Sequence, residues 1–244
     1  MIFDSAFTIG KTHRVCEDFA IHNDRMAVLS DGCSSAHHTD IGSRILCSSA
    51  MKYNGTSDIK NIIHHSNMIA NNLGYPQDIL SATLISIERI LKDSVKIDIF
   101  GDGVVVFVDS DGTHRFISIE FDNEMPNYPL YQLSDEMLSQ YKTKNISRTI
   151  QGEIPEYATL NEHENHISIV SNVKNSITCF SDGANSFTNA DNKEMQFELT
   201  DFKNRNDGFA KRRLNKFSKG IVSRGITHYD DLSMISVLSN EVSL

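Results

Sequence analysis

Two apolar, strand-like runs in this chain end in the same tripeptide: Met26-Ala27-Val28-Leu29 runs into Ser30-Asp31-Gly32, and Ile177-Thr178-Cys179-Phe180 runs into Ser181-Asp182-Gly183. A carboxylate at a strand exit, followed by a residue that lets the backbone come close, suits a hard cation such as Mg²⁺ or Mn²⁺. Such a site has to be assembled from distant segments, so the fold must bring these strand ends together. Further acidic candidates stand beside strand-like runs at Glu17-Asp18, Gly101-Asp102-Gly103 and Asp230-Asp231. Asp-Gly is also common in plain turns, and Asp111-Gly112 reads as no more than that.

Runs rich in β-branched residues predict strands at 6–9, 26–30, 82–90, 95–100, 104–109, 115–121, 166–171, 176–180 and 232–238. Asp109-Ser110-Asp111-Gly112 predicts a hairpin and Gly101-Asp102-Gly103 a second tight reversal, together a meander. Helical spacing appears over 41–53, over 58–73 with Ser57 as N-cap, and over 207–222, where Phe209, Leu214, Phe217 and Ile221 share a face. Helices grouped around antiparallel strands point to an α+β layered fold. The stretch 122–165 is polar, holds three prolines and lacks periodicity, and reads as a long loop or flap with short elements.

The length of 244 residues fits one domain spanning 1–244, with 122–165 as its flap-like insertion. Apolar residues at 39% and charged residues at 23% describe a globular chain. A net charge of −9 argues against broad nucleic-acid binding. Cys16, Cys33, Cys47 and Cys179 form no C-x-x-C pair and read as reduced thiols of a cytoplasmic protein. No leader-like segment opens the chain and no long apolar run crosses it, so secretion and membrane insertion are not expected.

In order and spacing, these motifs resemble the metal-dependent PPM, or type 2C, protein serine/threonine phosphatases. The resemblance spans nearly the whole chain: Gly10 with Glu17-Asp18, Ser30-Asp31-Gly32, the helix-entry stretch Thr39-Asp40-Ile41-Gly42-Ser43-Arg44, Ser81-Ala82-Thr83-Leu84, Gly101-Asp102-Gly103, Phe180-Ser181-Asp182-Gly183 and Asp230-Asp231-Leu232-Ser233-Met234. It implies a four-layer αββα sandwich, two antiparallel sheets flanked by helices, with metals at one end. Carried over residue by residue, Asp31 bridges two Mn²⁺ or Mg²⁺ ions, the Gly32 carbonyl coordinates one, and Asp182 and Asp230 complete the other. Glu17 and Asp18 match the acidic pair that acts directly or through water, and Asp102 matches the aspartate of a weaker third site. Carboxylates converging without a cation would repel one another and raise their own pKa values, which agrees with this assignment.

Two positions depart from the family. His13, followed by Arg14, occupies the register of an arginine that grips substrate phosphate, so either residue is a candidate for that contact. The pattern of Gly10, His13, Cys16 and Asp18 is similar to a divergent bacterial branch. Cys33 stands where animal members place a histidine regarded as the general acid, which leaves that role to a metal-bound water or a nearby histidine. His37-His38 reads as a polar loop ahead of a helix, and His64-His65 as helix surface. The basic residues between Lys203 and Lys219 read as a solvated helix face.

The resemblance implies a phosphatase acting on phosphoserine and phosphothreonine in proteins, through a hydroxide bridging two metals, with no covalent phosphoenzyme. Asp31, Asp182 and Asp230 are the residues on which catalysis would rest. The enzyme would work as a monomer, opposing a Ser/Thr kinase. Two alternatives remain open on the sequence: a pseudophosphatase that keeps the fold as a binding module, and a phosphatase of a small phosphorylated metabolite or nucleotide.

Overall fold

The computed structural model describes residues 1–240, so the last four residues of the expected 1–244 domain lie outside the described residues. Two antiparallel sheets stack face to face. The first runs in the spatial order β1 (Ile2–Thr8), β14 (Leu232–Leu238), β11 (Ser176–Phe180), β6 (Gly103–Val108), β7 (His114–Phe121) and β8 (Arg148–Gly152). The second runs β2 (Phe19–His22), β3 (Met26–Ser30), β4 (Leu84–Arg89), β5 (Ser94–Phe100), β10 (Ile167–Asn172) and β9 (Ala158–Glu162). A short pair, β12 (Phe187–Thr188) and β13 (Thr227–His228), stands apart.

Helices cover both outer faces. α1 (Thr39–Lys52) and α2 (Ile59–Asn72) pack on the second sheet, and α4 (Asn192–Leu199) and α5 (Phe209–Ser223) on the first. The central strands are therefore buried on both sides, which is why they read as continuous apolar runs. Ala27 and Leu29 of β3 face the inter-sheet core with Ile235 and Val237, while Met26 and Val28 face α1 and α2. In β14, Met234 and Leu238 point outward to α5. The result is an α+β fold with two antiparallel sheets flanked by helices.

Three features differ from the sequence expectations. Gly101-Asp102-Gly103 is not a hairpin within a meander, because β5 and β6 lie in different sheets. The turn carries the chain from one sheet to the other, with positive φ at both glycines, and Phe180 O would lie 2.7 Å from a Cβ on Gly103. The stretch 122–165 is less loop-like than its composition. It holds α3 (Asp135–Lys142) and contributes β8 and β9, the edge strands of both sheets. Finally, the cap of α2 is Asp58 rather than Ser57, its side chain accepting the Asn61 N–H.

Candidate active site

Each Ser-Asp-Gly exit is locked by its buried serine. Ser30 Oγ donates to the Thr83 carbonyl at 2.6 Å, and the Asp31 N–H donates to Thr83 Oγ1 at 3.0 Å. The Ser81-Ala82-Thr83-Leu84 stretch is thus the clamp on the end of β3. In the other sheet, Ser181 Oγ donates to Asp18 Oδ2 at 2.7 Å and accepts the Ser233 N–H at 3.0 Å. That bond ties the exit of β11 to the residue preceding β2, across the sandwich.

These locks bring Asp31, Gly32, Asp102, Asp182 and Asp230 to the wall of one cavity of about 540 Å³ at the rim of the sheets. Asp18 lies behind them, fully buried. Desolvation, then the charges of Asp18 and Asp182, pushes the Asp31 carboxyl well above the usual carboxylate range. Desolvation also drives Asp18 up to about 7 against the donors around it, and lifts Asp102 to about 8 with help from Asp182. Asp230 is raised in the same way, by burial and then by Asp182.

The donor set fits a divalent cation. Asp18 Oδ1 and Asp182 Oδ1 are buried and have no hydrogen-bond partner among the described residues, an arrangement that costs free energy unless something positive meets them. Asp31, Asp182, Asp230 and the Gly32 carbonyl could hold cations directly, with Asp18 and Asp102 adjoining. Glu17 sits just outside, Oε1 accepting from Thr39 Oγ1 at 3.2 Å, its carboxyl raised chiefly by desolvation.

Neither candidate for the phosphate contact lines the cavity: His13 is half-buried beside the wall residue Asp230, and Arg14 is exposed. His13 Nε2 lies 3.3 Å from Asp230 Oδ1. Burial works against a protonated ring, but Asp231, Asp230 and Glu17 outweigh it and raise the His13 pKa. His37 and His38 do not line the cavity; His38 adopts a left-handed conformation at φ 61° and packs on Tyr75. Cys33 does line it. The Cys16 thiol is pushed up to about 12 by burial, then by Asp231 and Asp18, which makes it a packing group rather than a nucleophile.

The sequence offered Asp231 as an acidic candidate beside Asp230 but gave it no role; it is 1% exposed. Its carboxylate accepts the Gly10 N–H at 2.7 Å and the Glu17 N–H at 2.6 Å, and His13 Nδ1 lies 3.0 Å from Oδ2. Adjacency to Asp230 was the one signal in the sequence, and it says nothing of a partner more than two hundred residues away. The opposite wall was also out of reach: Phe121, Glu124, Pro126 and Tyr128 come from the end of β7 and the segment after it.

The same architecture recurs in solved structures at low sequence identity. A bacterial serine phosphatase is 13% identical, with 99% of each chain covered and a TM-score of 0.61. The catalytic domain of the serine/threonine protein phosphatase PstP, solved with two manganese ions, is 12% identical over 96% of each chain with a TM-score of 0.55. PppA, a regulatory component of the type VI secretion system in Pseudomonas aeruginosa, is 14% identical over 97% of each chain with a TM-score of 0.51. No curated protein sequence matches the chain. The family model for protein phosphatase 2C matches residues 11–217, a span that takes in the carboxylates at 17, 18, 31, 102 and 182. With that match over most of its length and strand-end carboxylates gathered at one rim of the sandwich, the chain belongs to the protein phosphatase 2C family.

Proposed function

We propose that this protein hydrolyses phosphoserine and phosphothreonine in proteins with Mn²⁺ or Mg²⁺ held by Asp31, Asp182, Asp230 and the Gly32 carbonyl. Two cations are proposed there, with Glu17 and Asp18 supporting them and Asp102 at a further, weaker site. The observation that carries this reading is the convergence of carboxylates from both sheets on one cavity, with a buried oxygen of Asp182 in its wall and of Asp18 behind it that no donor among the described residues meets. When bound, the cations activate water and neutralise charge on the phosphoryl oxygens. The chain's own residues do the rest: Ser30 and Thr83 fix the main chain that carries Asp31, Ser181 holds the Asp18 carboxylate, and His13 meets the phosphate at the edge beside Asp230.

The cavity also speaks to the substrate. Among its lining residues none is Lys, Arg or His, while Glu120 and Glu124 stand on the wall beyond the carboxylates assigned to metal. Acidic walls favour phosphopeptides with basic neighbours over those with acidic ones. The protein acts as a monomer in a reducing cytoplasm, where it opposes a Ser/Thr kinase.

The test is Mn²⁺-dependent turnover on phosphoserine and phosphothreonine peptides with basic or acidic flanks, set against nucleotides and sugar phosphates. Asp31→Asn is expected to cut turnover by at least about a hundredfold, since losing a residue one shell further out already costs 10–100-fold in such sites. Near-normal Mn²⁺-dependent hydrolysis by Asp31→Asn overturns the assignment.

A further inference from the structure

Asp231 takes no part in the chemistry above, yet it is bound more fully than its neighbours. One oxygen receives an N–H from Gly10 and the other from Glu17, the two ends of one loop. The rest of that loop lies against the strand leading to Asp231: the Lys11 N–H donates to the His228 carbonyl, and Thr12 gives both its N–H and its hydroxyl to the Tyr229 carbonyl. Gly10 can lie there because it has no Cβ; one would fall 2.3 Å from the Asp230 main chain. The register of the loop against Asp230 is therefore set by main-chain contacts, and His13 rides on it.

An imidazole has two inequivalent nitrogens, and the partner of one decides what the other can do. His13 Nδ1 lies 3.0 Å from Asp231 Oδ2 and 3.8 Å from Glu17 Oε2, a charge pairing off the line of a hydrogen bond, and Nε2 lies 3.3 Å from Oδ1 of Asp230, a wall residue of the cavity. We propose that Asp231 is a positioning residue for phosphate recognition: it closes the loop at residues 10–17 and turns the His13 ring so that the Nε2–H of its protonated form is presented to the phosphoryl group. This rests on the reading that His13 contacts substrate phosphate. It also accounts for how a histidine serves in a place where a longer, forked side chain is usual: the loop brings the ring to the site, and Asp231 sets its orientation. The competing use of the same atoms is a cation site, since ligand atoms of His13, Glu17 and Asp231 lie within 4.8 Å of one another. Against it, both Asp231 oxygens already accept a main-chain N–H at 2.7 Å or less.

The experiment is calorimetric titration of the Mn²⁺-loaded protein with inorganic phosphate, for wild type, His13→Ala, Asp231→Asn and the double variant. Removal of His13 should weaken phosphate about tenfold, the effect of losing one charge-assisted hydrogen bond. Asp231→Asn keeps the size of the side chain but cannot accept both N–H groups, and should weaken phosphate by a similar factor. The double variant should be no weaker than His13→Ala alone, and Asp231→Asn should raise KM for a phosphopeptide more than it lowers kcat. Separate factors that multiply to about a hundredfold in the double variant overturn the proposal. Wild-type phosphate affinity in Asp231→Asn, beside a weakened His13→Ala, also overturns it while leaving the His13 contact standing. Wild-type affinity in His13→Ala sinks the contact itself. Loss of one bound Mn²⁺ in His13→Ala identifies a cation site instead and overturns the positioning role. Should Asp231→Asn fail to fold, nitrogen-15 spectra of the neutral His13 ring in the metal-free wild type decide: Nδ1–H is expected, and an Nε2–H tautomer overturns it.

Discussion

The two Ser-Asp-Gly exits carry the same three residues at the ends of strands in opposite sheets, and they are held in different ways. At the exit of β3, Ser30 is tied to a main-chain carbonyl on the entry to the neighbouring strand, so the lock stays within one sheet. At the exit of β11, Ser181 is tied to the buried carboxylate of Asp18, which leads into β2 of the other sheet. The first exit is fixed by secondary structure, and the second by a side chain that can change its charge. An identical local signal thus acquires its role from what it meets.

The glycines sharpen this contrast most. A Cβ on Gly183 would fall 1.7 Å from the Asp231 carbonyl oxygen, whereas on Gly32 it would meet Thr39 at 2.7 Å from Cβ, 2.8 Å from Oγ1 and 3.0 Å from the main-chain carbon. The first overlap is with main chain and an ångström deeper, so the second yields with a much smaller shift. Gly183→Ala should therefore cost about 3 kcal/mol or more and Gly32→Ala about 1 kcal/mol, as overpacking costs generally divide by how far the neighbours yield. Urea unfolding of both variants measures this, and equal costs would break the distinction between the exits.

Much of this architecture was legible because central strands buried on both faces leave unbroken apolar runs. The strands at 26–30, 176–180 and 232–238 fall where the sequence places them. β8 and β9 were not legible: they are edge strands with mostly half-exposed or exposed side chains, so their sequences carry no apolar run. Gly101-Asp102-Gly103 was recognisable as a reversal but not as a crossing, because the dihedral demands of a turn are the same whichever sheet receives the next strand. Of the carboxylates on the cavity wall, Asp31, Asp102, Asp182 and Asp230 stand in motifs, whereas Glu120 and Glu124 stand in none. The role of Asp231 was not legible, since accepting two main-chain N–H groups from a distant loop leaves no pattern in the sequence around it.

The serines give the next contrast in size. Ser30→Ala removes one hydrogen bond to a carbonyl and should cost about 1 kcal/mol, while Ser181→Ala strips a donor from a buried carboxylate and should cost about 2 kcal/mol in metal-free protein. A balanced pair of values, again from urea unfolding, would mean that Asp18 is held well enough by its other partners.

The smallest effect is also the most specific, because it depends on pH at one exit only. Folding raises Asp18 from 3.8 to about 7 and Asp102 from 3.8 to about 8, so the folded metal-free protein binds protons that the unfolded chain has released. Stability must then fall as pH rises from about 4 toward 8, and bound Mn²⁺ should flatten that decline. Within this trend, the Ser181 hydroxyl favours the ionised form of Asp18 and lowers its pKa. Its removal matters little while Asp18 is protonated and matters fully once Asp18 is charged. The cost of Ser181→Ala should grow by about 1 kcal/mol between pH 5.5 and pH 8.5, whereas that of Ser30→Ala, bonded to a carbonyl, should stay level. Parallel unfolding series in chelator read both slopes, and matching slopes would place the charge-dependent lock elsewhere than at β11.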